Sequence, residues 1–458
     1  MHRRALLVGL GATLATPAAA FRPAAPALLP EAPLGLAAFR GTIDAGAEGL
    51  RPASSRDQSR RLQNLLDDAN RRGRPLFLPP GTYRVGGLSL PSRTVVMGFG
   101  RTARLVQSRG SHLLSARASE AVLLDGLALE GIGARSGDPL GGLVQLAACP
   151  DIRITDCAIR NAGGTGLRLQ AGGGHVSDCT ITGARGAAAL FALDSRNLSI
   201  RDNVVSDCAD GGILVHRSSA GEDGTTVTGN RIVRIGAASG GTGQWGNGVN
   251  VFRAANVKVA DNHVSDCAFS AIRCNGATNA TVTGNTAIRS GETALYAEFA
   301  FQGALVANNL VDGAAVGVSI ANFLDGGRLA VVASNVVRNL RTSGPYPAEN
   351  AGFGIGISVE ADTAVTGNVV EAARWGMALG WGPYLRDVSV TGNVVREAET
   401  GIAVSVVEKA GSATIAGNTI RANRAIVGHR WRDAATGDLT RETPPAHLTI
   451  EGNRVSRL

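Results

Sequence analysis

Apolar and polar positions alternate with a period of two along most of this sequence, and the alternation restarts at a nearly fixed interval. Each restart closes on Asp-Cys, Asp-Asn or Gly-Asn, takes one more apolar step, and runs into Gly-Ile-x-Val or a close variant. Ile154-Thr155-Asp156-Cys157, Val176-Ser177-Asp178-Cys179 and Ile200-Arg201-Asp202-Asn203 open the series. Val282-Thr283-Gly284-Asn285, Val365-Thr366-Gly367-Asn368 and Ile450-Glu451-Gly452-Asn453 are later members. The mean step between Cys157 and Asn453 is about 27 residues, inside the range that marks a solenoid. Each unit holds short strand-like runs and no helix-length apolar stripe, so the solenoid is built of β-strands. One coil cannot bury its own apolar side. Stacked coils place like residues above each other at about 4.8 Å and bury them together. The recurring Asn fits a tight corner, where it tolerates left-handed backbone angles and its amide can bond along the stack. Cys157 and Cys179 hold the same place in the first coils. The pattern predicts a parallel β-helix of about 12–14 coils.

The lead-in, residues 39–100, reads differently. Ser55-Arg56-Asp57-Gln58 has the form of a capping box, followed by Leu62, Leu65, Leu66 and Ala69 at helical spacing and by Gly73 as a stop. Pro75-Leu76-Phe77-Leu78-Pro79-Pro80-Gly81-Thr82-Tyr83 then reads as strand, Pro-Gly turn and strand. An open solenoid end exposes apolar core and unpaired strand edges, so a helix is expected to cover it. Further upstream, Arg3-Arg4 precedes a short apolar run that ends in Pro17-Ala18-Ala19-Ala20. This is the layout of an export signal of residues 1–20, too short for a membrane span, with cleavage after Ala20. Residues 21–38 form a Pro/Ala-rich arm, and 101–458 are the β-helix repeats.

The helix followed by Leu-Pro-Pro-Gly-Thr-Tyr resembles the N-terminal part of pectate-lyase-like β-helix proteins. That resemblance supplies the handedness, which the sequence pattern does not show: an all-β, single-stranded right-handed parallel β-helix with an N-terminal capping helix. The Arg3-Arg4 start, residues 240–248, Ala294-Leu295-Tyr296-Ala297-Glu298-Phe299 and Leu379-Gly380-Trp381-Gly382 resemble the bacterial family of twin-arginine-translocated repeat proteins, over nearly the whole chain. This second likeness implies fold, export to the periplasm or beyond, and the twin-arginine machinery as a partner. It implies no particular chemistry.

Composition narrows the classes. Sixty-one glycines, 4% aromatic and 18% charged residues describe turns and small stacked side chains. The formal charge of +8 is carried almost entirely by arginine, with Lys only at 258 and 409. Such a surface suits either an acidic, uronate-rich polysaccharide or a simple preference for Arg. No stretch mixes dense basic residues with aromatics, so nucleic acid is not an expected partner. Cys208 and Cys267 are two coils apart, too far to bridge, and the cysteines are expected as buried free thiols.

Candidate chemistry lies at the x positions of Gly-Ile-x-Val-x, which face outward when Ile and Val face in. Stacked, they give Arg168/Gln170, Leu214/His216, Asn250/Phe252, Arg273/Asn275, Tyr296/Glu298, Ser319/Ala321 and Ser358/Glu360, then a bland run at Ala378/Gly380 and Ala403/Ser405. Insertions at 235–247, with Trp245, and 341–353, with Tyr346, enter beside this stripe. The stripe predicts a groove on one sheet that binds polysaccharide. His216, Tyr296, Arg273 and Glu298 are the catalytic candidates, and Arg168, Arg217, Trp245, Asn250, Asn275 and Glu360 the substrate-binding ones. Lyase or epimerase chemistry would use Arg against the C6 carboxylate and His or Tyr on the C5 proton. Hydrolase chemistry would use Glu298 and Glu360, two repeats apart. The alternative is a non-catalytic glycan-binding or envelope-structural solenoid, its outward polar pairs being ordinary surface. Trp375, Trp381 and Trp431 are expected as packing or loop covers. No metal-ligand spacing occurs and no cofactor is expected. Asp210 with Glu222 and Asp223, near His216, is the one set that would take Ca²⁺.

Overall fold

The computed structural model describes residues 41–133, 137–347 and 352–458. The predicted signal and arm, residues 1–38, lie outside them. From Gly41 on, successive turns of chain lay strands on three faces, the first a sheet of its own and the other two joined in one 27-stranded sheet. Face 1 has sixteen strands, from Ile43–Asp44 to Leu448–Glu451. Face 2 follows the Asn corner, with strands such as Val204–Cys208, Arg231–Ile235 and His263–Cys267. Face 3 is the Gly-Ile-x-Val sheet, including Gly211–Glu222, Asn247–Ala255, Ile272–Asn275 and Thr293–Glu298. In the distal coils, Val369–Leu379, Val394–Ser405 and Thr419–Arg430 each run through both faces 2 and 3.

Register explains the core. Val259, Val282, Val306, Val332, Val365 and Val390 follow one another rung by rung on face 1, each 4% exposed or less. Burying one such side chain contributes about 1.5–3 kcal/mol, and every coil repeats the gain. At the corner between faces 1 and 2, Asn203 starts a continuous ladder that ends at Asn453. In each rung the Asn backbone N–H and side-chain Nδ2 both donate to the Oδ1 of the Asn one coil on, at 2.9–3.0 Å. Cys179 joins through its N–H to Asn203 Oδ1, 2.9 Å. The left-handed backbone expected at the Asn belongs instead to the residue before it, such as Asp202, Gly229, Asp261, Gly284 and Gly367. The Asn itself must turn inward to meet its neighbour, so its predecessor takes the bend. All six cysteines are free and buried.

The helix spans Ser59–Arg71, later than the capping-box form suggested, and Ser55 does not cap it. Asp57 does the nearest equivalent work, accepting from Ser59 N and Oγ. Leu62, Leu66 and Ala69 are buried against the core and Leu65 partly so. The helix also completes the first edge of face 3. Gln63 bonds both ways to Ser89, Nε2 to its carbonyl at 2.8 Å and Oε1 from its N–H at 2.9 Å, as a neighbouring strand would. At the other end the hairpin strand Asp433–Asp438 runs antiparallel along Thr419–Arg430 and covers the last edge.

Candidate functional site

The outward positions of face 3 stack in the order Gln145, Arg168, Phe191, Leu214, Asn250, Arg273, Tyr296, Ser319, Ser358, Ala378 and Ala403. The predicted stripe is thus real in register, with one coil omitted. Phe191 and Leu193 stand between Arg168/Gln170 and Leu214/His216, on a strand, Leu190–Leu193, that lacks the Gly-Ile-x-Val form. Outward is not the same as exposed. Asn250 is 7%, Arg273 9% and Glu298 2% exposed, and the 235–247 insertion reaches Arg273 through the Gly243 carbonyl.

Arg273 is the centre of this covered region. Its Nε and Nη2 donate to the two oxygens of Glu298 at 2.5 and 3.0 Å, and its Nη1 donates to the Gly243 carbonyl of the 235–247 insertion at 2.7 Å. Asn247 Nδ2 donates to the same carbonyl, and Asn275 Nδ2 to Glu298 Oε1. A side chain at Gly243 would strike the guanidinium, a Cβ there standing 1.8 Å from Nη1, and its φ of +119° also calls for glycine. The guanidinium stacks over the Tyr296 ring at 5.2 Å. Burial opposes the Arg273 charge, and Glu298 and Glu292 more than offset it, leaving its pKa above the ordinary value.

Glu292 escaped the sequence reading. It precedes strand Thr293–Glu298 at a corner, where the next coil has Ala315, and the stripe was drawn only through strand positions. Its Oε1 accepts from the Tyr346 hydroxyl at 2.5 Å, and Oε2 lies 3.6 Å from Arg273 Nη1 with no hydrogen bond of its own. Burial pushes its carboxyl up, against the pull of Arg273 and Tyr346. Tyr346 also packs against Phe269 and Phe353, so the second insertion is pinned to the same cluster as the first.

The remaining candidates are scattered. His216 sits between Phe191 and Phe252, ring centroids 5.2 and 5.4 Å away, with Nε2 buried and unbonded, and burial brings its pKa down to about 4. It is three rungs from the level of Glu298, roughly 14 Å, so His216 and the Tyr296/Glu298 pair do not converge on one sugar carbon. Arg217 lies at the corner toward face 1, 3.9 Å from Asp223 and 3.4 Å from the Ser195 carbonyl, away from the stripe. Arg168 bonds Leu140 O and Gln170. Asn250 keeps a buried Oδ1 without a partner. Trp245 is half-exposed on the insertion. Glu360 accepts from Phe323 N at 2.6 Å, and burial brings its pKa up to about 7. The Ca²⁺ set does not gather. Asp210 is bound by Ser239, Glu222 by Asn256 and Asp223 by Thr225, and among the described residues no three His, Cys, Asp or Glu side chains form a metal-binding group.

Chemically, the centre is a filled clamp. The N–H edges of Arg273 already meet the Glu298 carboxylate and the Gly243 carbonyl, so it offers no free fork to a uronate. What remains partly accessible are Tyr296, whose hydroxyl bonds to no described residue and whose pKa burial pushes well up, and Trp245.

Among the described residues no helix is long and apolar enough to cross a membrane. No curated protein matches the sequence. Among solved structures, the pre-mature gene product 12 of bacteriophage phi29 is similar over 84% of this chain and 65% of its own, with 13% identity and a TM-score of 0.52. Tailspike protein 2 of Escherichia coli O157:H7 bacteriophage CAB120 is similar over 71% of this chain, with 16% identity and a TM-score of 0.49, and this chain spans 42% of its length. DFA-IIIase from Arthrobacter chlorophenolicus A6 is similar over 90% of this chain and 99% of its own, with 16% identity and a TM-score of 0.47. Likeness at these identities is likeness of fold. The sequence model described as right handed beta helix region matches residues 137–246, 187–325 and 220–383, more than half of the 458 residues together. With three faces of parallel strands, an inward apolar ladder and that match, the chain belongs to the right-handed β-helix family.

Proposed function

We propose that this protein recognises a polysaccharide along face 3, in the lane between the 235–247 and 341–353 insertions. The observation that carries the reading is that two insertions are anchored to buried Arg273 and Glu292, on two adjacent rungs of one face, with aromatic side chains beside them. Trp245 and the side of the Tyr296 ring away from Arg273 would meet sugar C–H groups, and the Tyr296 hydroxyl would offer a hydrogen bond. Binding is favoured over lyase or epimerase chemistry, because Arg273 is fully engaged and His216 is a neutral, weak base three rungs away. The proposed roles of Arg168, Asn275 and Glu360 reduce to supporting ones, since each is tied to a protein partner.

Hydrolysis stands as a second reading, favoured by Glu292. A buried carboxyl with a raised pKa, hydrogen-bonded on one oxygen and bare on the other, is the form a general acid takes. Glu298, paired with Arg273 through both its oxygens, would be its counterpart, which replaces the Glu298/Glu360 pairing. For localisation, the Arg3-Arg4 start carries the reading of export through the twin-arginine route, tested by fractionation after Arg3→Lys/Arg4→Lys.

The test is a panel of uronate-containing and neutral polysaccharides offered to purified protein. Binding is followed together with unsaturated ends, reducing ends and C5 proton exchange in heavy water. The binding reading predicts affinity without product, weakened about tenfold in Trp245→Ala. New reducing ends abolished by Glu292→Gln would establish the hydrolase instead, and a protein that binds no polysaccharide refutes both.

A further inference from the structure

Face 2 carries a column of charge whose order has a particular symmetry. Asp207, Arg234, Asp266, Arg289, Asp312 and Arg338 occupy six successive coils, the last two one residue earlier on their strands. The column alternates strictly, so reversing it exchanges every Asp for an Arg. Within the chain each Asp accepts from the Arg one coil on, at 2.6–3.0 Å, through Nε and Nη2 alone. Nη1 of these three arginines bonds to no described residue, and their side chains are 46–64% exposed. A carboxylate has about four acceptor sites and a guanidinium five N–H donors, so each pair keeps unused capacity toward the solvent.

A row of apolar side chains runs beside this column on the same face. Val204, Val336 and Val369 are 41%, 41% and 38% exposed, and Leu310, one coil before Val336, is half-buried. The fold does not demand apolar residues there, since Arg231, His263, Thr286 and Thr419 hold the same row in other coils. Charged column and apolar row together give face 2 a surface that is complementary to itself.

We propose that face 2 docks against face 2 of a second copy of this chain, the two solenoids antiparallel about a two-fold axis that runs along the strands. Such an axis reverses the order of coils and keeps each column opposite itself. Asp207 then meets Arg338 of the second copy, Arg234 meets Asp312 and Asp266 meets Arg289, so every facing pair is of opposite sign. Val204 meets Val336, and Arg231 lies along Leu310 with its stem packed and its head in water. The parallel arrangement, with the axis along the solenoid, sets Asp against Asp and Arg against Arg in every coil. Charge order therefore selects the antiparallel copy. A contact of six rungs by five residues covers roughly 24 Å by 16 Å. That is about half of the ~800 Å² per partner in a standard interface, so the association is weak, reversible and salt-sensitive. Both copies keep face 3 open and turned to the same side, so the contact does not depend on what face 3 binds.

Sedimentation equilibrium of the full chain is the test. Wild type is expected to pass from monomer to dimer as concentration rises, and to return to monomer in 1 M NaCl. Asp266→Arg alone and Arg289→Asp alone each set like charges at the centre of the contact, and each is expected to weaken association at least about tenfold. Mixed in equal amounts, the two variants are expected to associate again, because each supplies the charge that the other lacks. Melting temperatures of the separate variants close to wild type show that the loss is not one of folding. Wild type that stays a monomer up to about 0.5 mM in low salt overturns the inference. So does self-association that persists in both single variants, or a mixture of them that stays monomeric.

Discussion

The molecule uses arginine and carboxylate in two opposite ways, on adjacent faces of the same coils. Along the outside of face 2, Asp207, Arg234, Asp266, Arg289, Asp312 and Arg338 alternate over six successive coils. They pair two by two, Arg234 with Asp207, Arg289 with Asp266 and Arg338 with Asp312, at 2.6–3.0 Å, with the arginines exposed to water. On face 3 the Arg273 and Glu298 bond has similar lengths, yet both residues are buried and an insertion is fastened through them. In water such a pair is screened and contributes about 0–1 kcal/mol. Under cover, the pair is worth little against an apolar replacement, but removing one partner strands a buried charge. Equal geometry thus means surface order in one place and a held framework in the other.

Breaking the buried member is expected to have the largest effect. Arg273→Met leaves Glu298 uncompensated and releases Gly243, and is expected to cost about 3–5 kcal/mol in urea unfolding, with new protease cleavage within 235–247. A loss below about 1 kcal/mol would place Arg273 with the surface pairs. Glu360 lies between the two regimes, half-buried on face 3 with a backbone donor but no arginine. Its folded-state pKa, about 7, is above the ordinary carboxylate value, so the folded protein holds that proton more tightly. Its charge therefore lowers stability as pH rises from about 4.3 through 7. Glu360→Gln should match wild type near pH 4 and exceed it at pH 8 by about 2 kcal/mol; identical pH profiles would show that the carboxylate is solvated. The smallest effect belongs to the ladder. Arg289→Ala should lose the least stability of the three, and that loss should vanish in 1 M NaCl. Arg289 holds the Asp266 pKa down, so its contribution is present above the ordinary carboxylate pKa and disappears as pH falls through the lower folded value. A loss unaffected by salt would mean that Arg289 acts through packing.

The same contrast measures what the sequence could tell. The period-two alternation and the Asn spacing carry strand direction, the inward ladder and the outward stripe, because each depends only on residues near in sequence or one coil away. Burial on face 3 was not legible. Whether Arg273 meets water is decided by where Gly243 and Tyr346 come to rest, 30 and 73 positions away. Glu292 was missed because corner residues follow no alternation. The left-handed corner was placed one residue late, since both Gly-Asn members tolerate the bend and only the ladder shows which turns inward.

Locating the ligand tests the account most directly. Amide hydrogen exchange would be measured on the full chain, with and without the polysaccharide it binds. Slowed exchange within 235–247, with the Asn corners between faces 1 and 2 unchanged, is the predicted result. Slowing at those corners while 235–247 exchanges as before would contradict it, and would move the functional surface off face 3.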